Sequence, residues 1–354
     1  MHAHHHRSES PCFNPGGSAG TSQAAPESIV PPMRSEGTAL ALSRLGFGTA
    51  RLGGRLTRKQ SLRLLSTAYE CGMTHFDTAR LYGYGETEGI IGEFIKGRRS
   101  RVVIASKVGI LPPNHSRLLS MAKMSARWIV RLCPSCRVML RRRAEGLVKS
   151  GMFDVPIMQQ SLETSLRELR TDYLDILLLH ECRMSDLSRD ELSEFLECNQ
   201  RSGKIRYYGV ASTPEVCANA HRLSRYKSSV MQFPSGAITR ASQGVIPPGS
   251  GVPVITHSSL GLAFNGICDQ LAANDAMASA WSRTLDIDAR DRRALGAVFL
   301  TYAIDENPQG CVLFSSTSDV HIRLNMATAR RAIETKTSGD ALLSCVTRLN
   351  QSVV

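Results

Sequence analysis

The chain has 354 residues, a formal charge of +12 and 10 cysteines, and no apolar run approaches the roughly 20 residues that a bilayer-spanning helix needs. Its N-terminus also lacks the apolar core of a secretory signal, so a cytoplasmic protein with no membrane partner is expected. The cysteines do not have the dense, regular spacing of a secreted disulfide scaffold and read as reduced thiols. Cys133 and Cys136 form the single CxxC pair, and with no second pair no metal site is expected.

Residues 1–37 are rich in Ser, Pro, Gly and Ala and show no hydrophobic period. They are expected to be a disordered tail, with residues 38–354 forming one domain. The tract His2, His4, His5 and His6 has no bearing on function. From Leu42 onward, short apolar runs alternate with amphipathic stretches. Strands are predicted near Ser43–Gly48, Thr74–Thr78, Arg101–Ser106, Tyr173–Leu179, Arg206–Ala211, Ser229–Phe233, Val252–Thr256 and Cys311–Ser315. Helical patterns fall near 58–71, 86–96, 159–170, 187–202, 214–224, 289–305 and 318–334. Apolar strands alternating with helices imply an α/β fold, a parallel sheet closed as a (β/α)8 TIM barrel. The alternative is an open doubly wound sheet, but Gly46-Phe47-Gly48-Thr49 is too short for G-x-G-x-x-G.

The longest interruption follows the third strand, at residues 111–158. Between Leu111 and Met152 it holds Arg117, Lys123, Arg127, Arg131, Arg137, Arg141, Arg142, Arg143 and Lys149 against the single acid Glu145. Two readings stand: a basic insertion covering the barrel mouth near an anionic ligand, or a packed excursion with a solvated face. No RNA- or DNA-binding motif accompanies the charge, so no nucleic-acid partner is expected.

The most informative stretch runs from Met73 to Glu88. A predicted strand ends in Asp77, and a Gly-rich loop carrying Tyr82 leads to a helix. Asp77, Lys107, His180, Ser212, Gln232, His257 and Ser315 all fall at or just past predicted strand ends, the face on which such barrels build their sites. Carbonyl reduction suits these residue types. Hydride addition leaves negative charge on the oxygen, which Tyr82 could protonate. A phenol of ordinary pKa about 10 is a sluggish acid, and an adjacent Lys107 ammonium is expected to lower that value, with Asp77 holding the ammonium charged. His180 could donate a hydrogen bond to the same oxygen.

The run Asp77-Thr78-Ala79-Arg80-Leu81-Tyr82-Gly83 resembles the aldo-keto reductase signature: aspartate, Thr-Ala, two variable residues, Tyr-Gly. Ser106-Lys107-Val108-Gly109 and Leu177-Leu178-Leu179-His180 follow in the order that family uses, and the resemblance extends from about Leu42 to Arg330. It implies Asp77, Tyr82, Lys107 and His180 as catalytic residues. It also implies NADP(H), or alternatively NAD(H), extended across the barrel mouth without a Rossmann domain. By position, the nicotinamide carboxamide would meet Ser212 and Gln232 and the ring would stack on His257, with Thr49 and Asp77 at the same end. Ser258 and Leu260 match the pyrophosphate-side loop, Ser315, Ser316 and Thr317 the adenosine-phosphate turn, and Asn325 the adenine contact. Ser315 and His321 stand where many NADP-specific relatives have Lys and Arg, so both dinucleotides stay open. Arg80 is expected to help bind an anionic or hydroxyl-rich substrate. The implied activity is interconversion of a small carbonyl compound (aldehyde, ketone or aldose) and its alcohol by a monomer. The alternative is a non-catalytic, cofactor-binding regulatory subunit of the same fold.

Overall fold

The computed structural model describes residues 33–34, 40–53, 56–112, 149–223, 226, 230–242, 245, 251–261, 263–335 and 339–351. Residues 113–148 of the basic insertion, with the Cys133/Cys136 pair, lie outside the described residues. So do residues 1–32.

The chain opens with a two-stranded antiparallel ladder, β1 (Met33–Arg34) against β2 (Ala41–Leu42). This ladder draws Met33 and Arg34, assigned above to the tail, into backbone pairing with the folded part. Eight parallel strands then close a barrel: β3 (Leu45–Gly48), β4 (His75–Asp77), β5 (Val103–Val108), β6 (Leu174–His180), β7 (Ile205–Ala211), β8 (Val230–Pro234), β9 (Val254–His257) and β10 (Cys311–Phe314), with β10 pairing back onto β3. All eight correspond to the predicted strands. The β6 sequence Leu-Asp-Ile-Leu-Leu-Leu-His is buried through its first six residues, as a strand covered on both faces must be. Each fully buried Leu there contributes about 1.5–3 kcal/mol.

The helices are α1 (Arg58–Glu70), α2 (Thr87–Phe94), α3 (Val155–Leu169), α4 (Met184–Leu187), α5 (Asp190–Arg201), α6 (Pro214–Arg222), α7 (Phe264–Ala273), α8 (Asp275–Leu285), α9 (Arg292–Asp305), α10 (Asp319–Thr335) and α11 (Asp340–Gln351). Local sequence sets their starts. The Thr57 hydroxyl accepts from Gln60 N at 3.2 Å while the Gln60 amide oxygen accepts from Thr57 N at 2.9 Å, a reciprocal cap that satisfies two orphan donors of α1.

The one-turn α4 meets the predicted 187–202 helix only at Leu187, and three longer helices, α7, α8 and α11, have no counterpart among the predicted elements. Phe264, Ile267, Leu271, Trp281, Leu342 and Val346 on them pack with Leu295, Phe299 and Tyr302 of α9 into a core cluster of their own beside the barrel. Inside the barrel, Ala105, Ile176, Leu178, Val230, Ile255 and Leu313 form another cluster, joined by Leu40 and by Leu42 of the opening ladder. At the N-terminal end of the strands the buried Arg44 guanidinium donates to the carbonyls of Asn307 and Gly310, both at 2.6 Å, and of Ile304 at 2.9 Å. It thereby caps the end of α9. Strands β7 and β8 approach so closely at Gly209 that a Cβ there would lie 1.8 Å from the Val230 carbonyl oxygen. Only glycine fits.

Candidate active site

Strand register carries four polar side chains to the C-terminal end of the barrel. Asp77 pairs with Ala105, Lys107 two residues further on pairs with Leu178, His180 pairs with Ala211, and Ala211 pairs with Gln232. Asp77 and Lys107 are both buried there. The Lys107 ammonium donates to Asp77 Oδ1 at 2.6 Å and to the Thr78 carbonyl at 3.0 Å, and the Gln232 amide donates to Asp77 Oδ2 at 2.9 Å. Each oxygen of the carboxylate therefore holds a donor.

Tyr82 reaches this pair from the loop after β4. Its one-turn 3-10 helix (Tyr82–Gly85) places Gly83 and Tyr84 at φ of 57° and 58°. Gly83 is required: a Cβ there would lie 2.4 Å from Thr87 Oγ1 and 2.8 Å from the Leu52 carbonyl oxygen. Lys107 Nζ stands 5.2 Å from the Tyr82 ring centroid, and the rings of Tyr82 and His180 meet edge to face at 6.4 Å. The sequence-predicted tetrad is one cluster.

Its electrostatics differ in one respect from the expectation above. Burial pushes the Tyr82 phenol above its ordinary value; the Lys107 ammonium pulls it down, and the Asp77 carboxylate adds to the rise. Desolvation outweighs the cation, so the phenol is raised rather than lowered. For Lys107 burial pulls down, but Asp77 and Tyr82 together prevail and the ammonium is held above its ordinary value. His180 is pushed down to about 3, first by burial and then by Lys107, with Asp77 opposing. The imidazole is therefore neutral at pH 7.

His75, two residues before Asp77 and fully buried, is pushed down to about 4, by burial first, with Asp77 opposing and Lys107 adding. Its folded-state value lies below the ordinary 6.5. Stability from the neutral ring is therefore fully present above the unfolded pKa and is lost as pH falls through the folded one. Thermal melts from pH 6.5 down to about 4 are expected to show a loss of roughly 3 kcal/mol beyond that of His75→Asn, which has no ring to protonate. Parallel pH profiles for the two proteins would remove His75 as the cause.

The tetrad lies in an open groove of about 1960 Å³ that runs across the barrel mouth. Of the residues expected to hold a dinucleotide, Asp77, Ser212, Gln232, His257, Ser258, Leu260, Ser315, Ser316, His321 and Asn325 line this groove; Thr49 and Thr317 do not. Thr49 is fully buried, its hydroxyl donating to the Asp77 carbonyl at 2.8 Å. It thus braces β4 from behind. Among the described residues Gln232 Oε1 is buried without a hydrogen-bond partner, while the Ser212 hydroxyl donates to the Cys182 carbonyl at 2.8 Å. Both oxygens belong to groove-lining residues and can accept a hydrogen bond, which suits the amide N–H pair of a carboxamide. Ser315 Oγ donates to the Gly48 carbonyl at 2.7 Å, and Ser316 Oγ accepts from Ser318 N at 3.1 Å, fixing the turn before α10.

Arg80 departs from its expected role. It is not among the residues lining the groove, because Nη1 is committed to the buried Glu88 carboxylate at 2.6 Å. Sequence reasoning in turn missed Arg51, Arg183, Arg292 and Arg293, which do line it. Two of them carried a signal. Arg292 and Arg293 occupy the first turn of α9, where the helix dipole favours acids over cations. Arg292 is tied to Asn265 Oδ1 at 2.5 Å.

A closed parallel barrel with a carboxylate, ammonium, phenol and imidazole gathered beside a long groove has a polar cluster at its mouth and room for an elongated ligand. Comparison with known proteins narrows this: the model of the Aldo/keto reductase family matches residues 44–337, and the chain belongs to that family. The oxidoreductase YqkF of Bacillus subtilis is 30% identical over 198 residues, covering 55% of this chain and 53% of that protein. The aldo-keto reductase YhdN of the same organism is 27% identical over 183 residues, covering 49% and 45%. The chain thus spans about half the length of the curated relatives it matches. An aldo-keto reductase from Klebsiella pneumoniae, solved in complex with NADPH, superimposes with a TM-score of 0.63 at 23% identity, covering 90% of this chain and 95% of that one. Among the described residues, no helix is long and apolar enough to cross a membrane.

Proposed function

We propose that this chain is an NADP(H)-dependent oxidoreductase that interconverts a small carbonyl compound and its alcohol. The observation that carries this reading is the Asp77–Lys107–Tyr82–His180 cluster beside the groove. NADP(H), when bound, supplies or accepts the hydride. Tyr82 holds a proton at its phenol oxygen and gives it to the substrate oxygen, and Lys107 stabilises the phenolate left behind. Asp77, held by Lys107 and Gln232, keeps the ammonium charged and oriented. The neutral His180 donates an N–H to the substrate oxygen. Leu81, Ile110 and Met184 line the groove and offer apolar walls for the rest of the substrate.

Gln232 and Ser212 would hold the carboxamide, and His257 would face the ring. Its Nδ1 is 2.9 Å from Ser258 Oγ, which fixes the imidazole plane. Ser315 and His321 supply no permanent cation, whereas Arg51, Arg292 and Arg293 do. We assign the extra phosphate of NADP(H) to Arg293, supported by its place on the groove wall. Equilibrium titration with NADPH and NADH tests this. NADPH is expected to bind more tightly, and Arg293→Ala to weaken NADPH about 10-fold or more while sparing NADH. Equal losses for both would remove Arg293 from that role, and no binding of either would remove the dinucleotide. Binding without turnover of any aldehyde, ketone or aldose would favour a regulatory subunit.

A further inference from the structure

Glu88, in the first turn of α2, is almost fully buried, its side chain 1% exposed. A carboxylate in that position is tolerated only with its oxygens paired. Its two partners come from different elements. Oε2 accepts from Arg80 Nη1 at 2.6 Å, and Oε1 accepts from Ser106 Oγ at 2.6 Å. Arg80 lies two residues before Tyr82 on the loop, and Ser106 immediately precedes Lys107 on β5. The buried acid therefore ties the element that carries the phenol to the strand that carries the ammonium.

The loop needs such a tether. Its backbone places Tyr84, a non-glycine residue, at φ 58° between Gly83 at 57° and Gly85 at 91°, a left-handed run that persists only where surrounding structure enforces it. The Thr87 hydroxyl, donating to the Leu52 carbonyl at 3.0 Å, holds the far end of the same loop. Between Asp77 and Tyr82 the anchoring side chain is Arg80.

We propose that Arg80 is a positioning residue: acting through Glu88 and Ser106, it fixes the depth and orientation of Tyr82 relative to Lys107. This deepens the function proposed above and rests on it. Arg80 touches neither the groove nor the reacting atoms, so its loss misplaces the proton donor without removing any group that binds cofactor.

The test compares the full-length chain with Arg80→Ala, Arg80→Lys and the double variant Arg80→Met/Glu88→Gln, which strands no buried charge if the single Ala variant fails to fold. Three quantities are read: NADPH affinity, kcat for 4-nitrobenzaldehyde, and the ultraviolet titration of Tyr82, isolated by subtracting the matching Tyr82→Phe protein. Removing the tether is expected to lower kcat by about 10- to 100-fold with NADPH affinity unchanged, and Arg80→Lys to restore part of it. The Tyr82 midpoint is expected to move down, because burial is the largest cause of its elevation. Unchanged kcat with an unmoved midpoint overturns the proposal, as does a kcat loss matched by an equal loss of NADPH affinity. If the wild-type chain reduces no aldehyde, the function proposed above fails, and the Tyr82 midpoint alone still decides the role of Arg80.

Discussion

Tyr82→Phe is expected to lower turnover by about 10²- to 10⁴-fold while NADPH binds as before. The substitution deletes one oxygen and keeps the ring, so the edge-to-face contact with His180 and the loop geometry survive. On the mechanism proposed above, what disappears is the proton source. Its value to the reaction lies in the two opposed influences on the phenol: burial keeps it protonated in the resting state, and the Lys107 ammonium stabilises the anion once the proton has gone. The variant should show single-turnover rates as depressed as steady-state ones, since the missing group acts at the chemical step. Wild-type turnover in Tyr82→Phe would transfer the proton-donor role elsewhere, with water oriented by His180 as the first candidate.

The second large effect falls on stability and catalysis together. Lys107→Met leaves the Asp77 carboxylate buried with, among the described residues, only the Gln232 amide on Oδ2, and stranding one half of a buried ion pair costs about 3–5 kcal/mol. Turnover should also fall to the level of Tyr82→Phe, because the phenolate loses its cation. The two losses can be separated. In Asp77→Asn/Lys107→Met no charge is stranded, so denaturant unfolding should recover most of the stability while turnover stays low. If turnover returned with stability, Lys107 would be a structural residue only. The wild-type pair also has a pH signature. Lys107 is raised in the folded state, so its contribution is fully present below the unfolded value, about 10.4, and is lost as pH rises through the folded one. The double variant should lack that alkaline decline.

Much of the site could be read in the chain because barrel strands end where their side chains must act. The run ending at Asp77, the Lys after Ser106 and the His after three leucines each mark the C-terminal end of a strand, and a closed parallel barrel brings those ends together. The helices α7, α8 and α11 were not legible in the same way. Their apolar residues face one another and α9 rather than the barrel, so the strand–helix alternation that organises the rest gives no cue to them. Arg292 and Arg293 followed a different rule: their placement against the helix dipole was visible, but its meaning required the groove.

What the sequence alone determined is the eight barrel strands with seven of the helices around them, their order, and the four polar side chains at the strand ends and the following loop, because strand periodicity and strand-end position are local properties of the chain. What only the tertiary structure decided is how those groups are tuned and held. Arg80 sits between two site residues in sequence, yet its guanidinium turns away to Glu88, a partner set by the packing of α2 against the barrel. The sign of the Tyr82 shift likewise depends on how deeply the phenol is buried. Desolvation depends on everything that surrounds a group in space, and no spacing along the chain encodes it.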